Sequence, residues 1–264
     1  MGHRTTPRAS TLGGAMLALA ALLALAVSML WPTDGGATAP SPLPSASSSA
    51  EPGSEATTGA DASAPSLDPA IGTATDLLAT LATKGRAPKT GYDRTGHFGR
   101  AWIDIDANGC DTRNDILARD LTDITRDDTC RVLTGHLDNV YGGIDVAFTR
   151  GQETSTAVQI DHVVALMNAW ETGAQQLSQA EREALANDPL NLQATDASSN
   201  ARKQAGDAAT WLPPAKGYRC EYVARQVSVK AAYGLWVTAA ERSAMEGVLV
   251  GCPGQPAYAS ALVP

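Results

Sequence analysis

Asp161 and His162 are adjacent in the sequence, Asn191 lies 29 residues beyond the histidine, and Asn200 follows after a gap of eight residues. A carboxylate beside an imidazole at the end of a strand sends two side chains into one site. There Asp161 can bind a hard divalent cation and His162 can take a proton from water. Imidazole suits that task because its unperturbed pKa is near 6.5. Asn200 offers an amide oxygen as a second hard ligand, and magnesium completes its shell with water and substrate phosphate. In outline this is a site for phosphodiester hydrolysis. Spacing alone fits a bland alternative at least as well, a buried, hydrogen-bonded histidine with surface asparagines.

These residues need elements to position them. Residues 157–160 read as a short strand running directly into Asp161, and residues 145–148 as another. The alternation over 100–105 predicts a third strand ending at the Asn108-Gly109 turn. A helix over 76–81 opens the domain, stopped by Gly85 and Pro88, and residues 113–121 are helix or loop. Further helices are predicted over 165–170, 179–186, 200–206, 221–235 and 239–250. Ser178 and Glu181 form a capping-box pattern for the second of these, and Gly251 ends the last. Short strands mixed with segregated helices make the chain α+β.

The chain has 264 residues, 44% hydrophobic and only 5% aromatic, enough for one sizeable core with few large rings to fill it. A formal charge of −8 excludes the strongly basic profile of a protein that coats nucleic acid. Six acids precede Lys84, which leaves 18 bases against 22 acids from there onward. Arg4 and Arg8 precede an uncharged apolar stretch from Leu12 to Trp31, the layout of a secretory signal. The stretch is also long enough to span a bilayer, so residues 1–31 are a signal peptide or a membrane anchor. Residues 32–70 are rich in Ala, Ser, Pro, Gly and Thr and read as a disordered linker. The globular domain is residues 71–264. The chain is therefore expected to be secreted or held on the outer face of the cell membrane. In an oxidising compartment Cys110, Cys130, Cys220 and Cys252 form two disulfides. Of three connectivities, the sequential one, Cys110 with Cys130 and Cys220 with Cys252, is favoured.

Ile160-Asp161-His162-Val163-Val164-Ala165-Leu166, Ala169-Trp170, Gly173-Ala174, Ala186-Asn187-Asp188-Pro189-Leu190-Asn191-Leu192, Asn200, Lys203 and Trp211-Leu212-Pro213-Pro214 occur in this order. Together they resemble the HNH endonuclease superfamily. More narrowly, they resemble secreted actinobacterial HNH-family nucleases related to the C-terminal nuclease domain of type IV modification-dependent restriction enzymes. The resemblance runs over about Gly91 to Cys252. It implies an HNH ββα-metal core embedded in a mostly helical, disulfide-stapled domain, holding one divalent cation. By that resemblance Asp161 and Asn200 are metal ligands, His162 is the general base and Asn191 braces the site's loop. The name-giving last histidine of the family is Asn200 here, which favours Mg2+ or Mn2+ over nickel or zinc. The long stretch between His162 and Asn191 implies an inserted helix around residues 178–186.

Lys203 is three residues after Asn200, near it on a helix, and can pair with a substrate phosphate or be a solvated lysine. Arg202, Lys203, Lys216, Arg219, Arg225 and Lys230 outnumber the acids between Asn200 and Lys230, a basic patch for a nucleic-acid backbone or ordinary helix-face charge. Arg113 belongs to a further signature of the resembled family, Trp102 to Asn114, and is a second candidate phosphate contact against a structural ion pair. Asp104, Asp106, Asn108 and Asp115 copy part of a calcium loop, a weak match with Asp where the bidentate Glu belongs. His97 and His136 read as structural or exposed, and Trp102, Trp170, Trp211 and Trp236 as core filler. The expected substrate is DNA or RNA, with no obligate protein partner and with membrane contact only through an uncleaved N-terminus. A non-catalytic HNH-fold binding module and a toxin nuclease delivered to neighbouring cells are the rival readings.

Overall fold

The computed structural model describes residues 72–263. The signal or anchor, residues 1–31, and the whole linker, residues 32–70, lie outside the described residues. Within them, no helix is long and apolar enough to cross a membrane.

Helix α1 (Ala74–Thr80) is capped by the Thr73 hydroxyl, which accepts from the Asp76 N–H. Helix α2 (Arg94–Phe98) is capped by Asp93 and ends at Gly99, whose φ of +71° favours glycine. A Cβ there would also lie 2.8 Å from Glu183 Cγ. Helix α3 (Thr112–Asp120) leads directly into β1 (Leu121–Arg126), which pairs antiparallel with β2 (Val132–Leu137); β2 pairs in turn with β3 (Val146–Thr149). Strand β4 (Val158–His162) pairs antiparallel with β5 (Leu192–Asp196), and α6 (Ala197–Lys203) starts at the next residue. Between β4 and β5 come α4 (Leu166–Glu171) and α5 (Gln179–Asn187), the latter opened by the full Ser178–Glu181 capping box. Helices α7 (Arg219–Ala232) and α8 (Ala239–Leu249) complete the domain.

The α+β class holds: among the described residues the helices accompany one three-stranded and one two-stranded sheet. Tyr222, Val223 and Val227 of α7 meet Leu78 of α1 and Met245 and Leu249 of α8 in one hydrophobic cluster. Phe98, Trp170, Leu185 and Val229 form a second, and Ile116, Leu117, Val132, Phe148, Val158 and Leu192 a third beneath the sheets. The disulfides join Cys110 to Cys130 and Cys220 to Cys252. The first staples the segment before α3 to the β1–β2 turn, and the second staples α7 to Cys252, three residues past the end of α8.

The predicted strand over 100–105 is not formed. The Asp104 carboxylate accepts from the Asn108 and Gly109 N–H groups, Trp102 has a φ of +60°, and the chain turns instead of extending. Strands β1, β2 and β5 were not anticipated, since Leu121–Arg126 shows no alternation strong enough to mark it and β5 is buried along nearly all its length. Helix α6 begins three residues before the predicted start, because Asp196 caps it by accepting from Ser199 N–H at 2.9 Å. Trp170 and Trp236 are buried as expected, whereas Trp102 and Trp211 are only partly so.

Candidate active site

Strand β4 delivers Asp161 and His162 to one end of the two-stranded sheet, and α6 sets Asn200 beside them. Asp161, His162 and Asn200 line one cleft with Arg94, Leu166 and Gln204. Asn191 stands under that cleft and is fully buried. Its Oδ1 accepts from the Val164 N–H at 2.8 Å, and its Nδ2 donates to the Leu185 carbonyl at 3.0 Å. The residue thus ties the segment after His162 to α5 and to its own turn, where Val163 N–H also donates to the Asn191 carbonyl at 2.7 Å.

His162 is buried, and one ring nitrogen is committed: Nε2 lies 2.9 Å from the Ala186 carbonyl. A carbonyl can only accept, so Nε2 carries the proton and Nδ1 is the unprotonated nitrogen. Burial, reinforced by the positive charge of Arg94, pushes the imidazole pKa down to about 3, so the ring is neutral near pH 7. The Trp102 indole stacks near parallel to it, with 16° between planes and 6.1 Å between centroids.

Asp161 is equally buried. Tyr141 donates its hydroxyl to Oδ2 at 2.9 Å, and the Lys203 ammonium lies 3.0 Å from each carboxylate oxygen. Burial raises the carboxyl pKa against the opposing pull of Lys203. Lys203 also donates to the His162 carbonyl at 2.6 Å and is 2% exposed, so its ammonium points inward and not at solvent. Asn200 donates from Nδ2 to Gln159 Oε1 at 2.8 Å; its Oδ1 takes no hydrogen bond among the described residues.

The other predicted contacts lie apart. Arg113 Nη2 donates to the carbonyls of Val158 at 3.0 Å and Ser155 at 3.3 Å, bracing the start of β4. Arg202 is exposed on α6 and, among the described residues, bonds only the hydroxyls of Ser198 and Ser199. The basic patch is half lost to the interior, because Lys203, Arg225 and Lys230 are all buried. Arg225 gives its guanidinium to the carbonyls of Leu190 and Leu192 on either side of Asn191, and Lys230 pairs with Glu241. His97 stacks on Trp170 and its Nε2 meets the Gly91 carbonyl, and His136 is exposed. No cluster of three or more His, Cys, Asp or Glu side chains that could hold a metal exists among the described residues, the Asp104–Asp115 loop included.

Arg94 was missed from sequence. It is exposed, lines the cleft on both sides of His162, and has no hydrogen-bond or ion-pair partner among the described residues. Only its place between Asp93, a helix cap, and the Phe98-Gly99 stop hints at a fixed position.

Residues 111–248, more than half of the chain, match the family described as GmrSD restriction endonucleases, C-terminal domain. The chain belongs to this family. The matched span runs from the cap of α3 into α8 and so contains β4, β5 and α6 with Asp161, His162, Asn191 and Asn200. Arg94 precedes it. The chain is also 35% identical over 188 residues to an "Uncharacterized secreted protein" of Arthroderma benhamiae, covering 70% of this chain and 87% of that one. That relative is fungal, so the likeness is not confined to actinobacteria. No solved structure matches the chain.

Proposed function

We propose that this GmrSD-family chain is an exported, metal-dependent endonuclease that hydrolyses phosphodiester bonds of DNA, with RNA as a second substrate and little sequence specificity. The observation that carries the reading is the fixed tautomer of His162. Its Nε2–H is held by the Ala186 carbonyl, which leaves Nδ1 as the unprotonated nitrogen of a residue that lines the cleft together with Asp161 and Asn200. The order β4, β5, α6 around that cleft supports an HNH-type ββα arrangement.

A carboxylate and an amide oxygen on one cleft wall form a hard, all-oxygen donor pair, which fits a magnesium or manganese ion that keeps several waters. Asp161 and Asn200 would hold it, Asn200 through the Oδ1 left over once Nδ2 is bound by Gln159. The bound ion would supply Lewis-acid stabilisation of charge on the phosphate and on the leaving oxygen. His162 Nδ1 takes a proton from the attacking water as its oxygen bonds to phosphorus, the P–O bond to the leaving sugar breaks, that sugar oxygen takes a proton from a second water molecule, and the hydroxide so formed is neutralised by the proton that His162 gives up. Asn191 keeps the segment after His162 in register, and Arg94 is placed to meet a phosphate. The two disulfides and the secreted relative support export.

A second reading, a non-catalytic binding module, draws on the Lys203 ammonium, which already neutralises Asp161. Nicking of supercoiled plasmid by the oxidised chain with Mg2+, Mn2+ or chelator, beside His162→Ala, separates the two. The nuclease predicts metal-dependent nicking that His162→Ala loses while remaining folded. A folded, oxidised wild type that nicks with neither metal would leave the binding module.

A further inference from the structure

Two neighbouring pockets share His162, Arg94 and Leu166 and form unlike halves of the site. Asp161 and Asn200 lie on one side; on the other are Phe98, Trp102, Ala186 and Asn187, and Arg94 borders both. The second half has an acceptor with nothing to accept. Asn187 is 1% exposed and its Nδ2 donates to the Glu183 carbonyl at 3.0 Å, which settles which end of the amide is oxygen. Its Oδ1 is buried without a partner among the described residues. Such an atom is destabilising unless a ligand or water supplies a donor. Trp102, which forms the wall near His162, sits at a φ of +60°, a conformation a bulky side chain adopts only when its surroundings impose it. The surroundings here are the Asp104 turn, the Cys110–Cys130 staple and the Thr112 N–H donating to the Ile103 carbonyl.

An aromatic and apolar wall, one buried acceptor and a cation at the border match a flat ring that carries an N–H and is joined to a phosphate. We propose that this half of the cleft is a subsite for the nucleobase flanking the scissile phosphate. Trp102 provides its wall, Asn187 Oδ1 accepts from a base N–H, and Arg94 holds the phosphate between the halves. The proposal rests on the nuclease reading of the other half. All the common bases have a π-face and at least one N–H, so such a subsite selects for a base without selecting which base. It also requires the base to be unstacked, which makes single-stranded or locally unpaired nucleic acid the preferred substrate.

The test is equilibrium binding, in chelator, of a labelled six-nucleotide single-stranded DNA and of its all-abasic counterpart with the same phosphates. Stacking on an aromatic side chain contributes about 1–3 kcal/mol per base, so wild type is expected to prefer the base-bearing strand about tenfold or more. Asn187→Leu and Trp102→Ala should shrink that preference and leave abasic binding unchanged, while Arg94→Ala should weaken both strands alike. Equal affinity of wild type for the two strands overturns the subsite without needing any variant. A preference that survives both Asn187→Leu and Trp102→Ala in folded protein overturns it as well. Plasmid nicking is scored separately. Nicking without a base preference sinks the subsite and keeps the nuclease; a base preference that these two variants shrink, without nicking in either metal, does the reverse.

Discussion

The Lys203 ammonium straddles the Asp161 carboxylate, 3.0 Å from each oxygen, and also donates to the carbonyl of His162. Lys203 is thereby locked to the adjacent pair Asp161 and His162, which precede it by 42 and 41 residues, in one buried network at the end of β4. The lysine fixes the carboxylate and the backbone on which the imidazole stands.

Lys203→Met should therefore destabilise the protein by roughly 3–5 kcal/mol, because it leaves a buried carboxylate unpaired. Asp161→Asn combined with Lys203→Met should recover much of that loss. Urea unfolding of the two variants checks this, and a single variant as stable as wild type would mean the pair is not maintained in solution.

Asn191→Ala should cost about 1–3 kcal/mol, since it orphans the buried Val164 N–H and Leu185 carbonyl. Nicking activity should fall further than stability explains, because the segment after His162 loses its tether. Activity of the folded variant, measured well below its melting temperature, checks this against wild type. Unchanged activity would free Asn191 from any part in holding the site.

Arg94→Ala should leave the melting temperature within about a degree, as the side chain is exposed and has no partner among the described residues. Its nicking rate should fall by about 10²–10³, the typical loss on removing a donor to developing charge. Arg94→Lys should recover only part of that rate, because an ammonium lacks the planar fork. A full-rate Arg94→Ala would exclude contact with the reacting phosphate.

Asp115 gives a pH signature. Burial, then its acidic neighbours Asp106, Asp111 and Asp104, raise its pKa to about 6, against the lowering effect of Asn108. A folded-state pKa above the unfolded value makes its contribution greatest below about pH 4 and lost as pH rises through 6. Asp115→Asn should match wild type near pH 4 and be more stable at pH 8. Because the group is half-exposed, the gain should not exceed about 1 kcal/mol. Melting curves across this range in chelator test the sign.

Much of the molecule was legible as sequence. Local signals placed α1, α5, α7 and α8, because caps and apolar spacing act within a few residues: Ser178 with Glu181, for instance, and Tyr222 with Val223 and Val227. The ordered motifs from Ile160 to Pro214 pointed to a nuclease family related to restriction enzymes, and at that coarser level residues 111–248 agree. The expected oxidising compartment implied two disulfides, and of the three connectivities it left open, the favoured sequential one, Cys110–Cys130 and Cys220–Cys252, is the one formed. What sequence could not decide was which charges face water and which side chains meet across long separations. Lys203, Arg225 and Lys230 read as surface bases, yet each is drawn inward by a partner distant in the chain or by carbonyls that need donors: Asp161, Leu190 and Leu192, and Glu241. The 100–105 turn was settled by an aspartate bonding backbone several residues on, which outweighs alternation. Only tertiary packing brought Arg94, Trp102 and Asn187 to His162, because burial and hydrogen bonding are satisfied by the folded neighbourhood and spacing along the chain does not encode it.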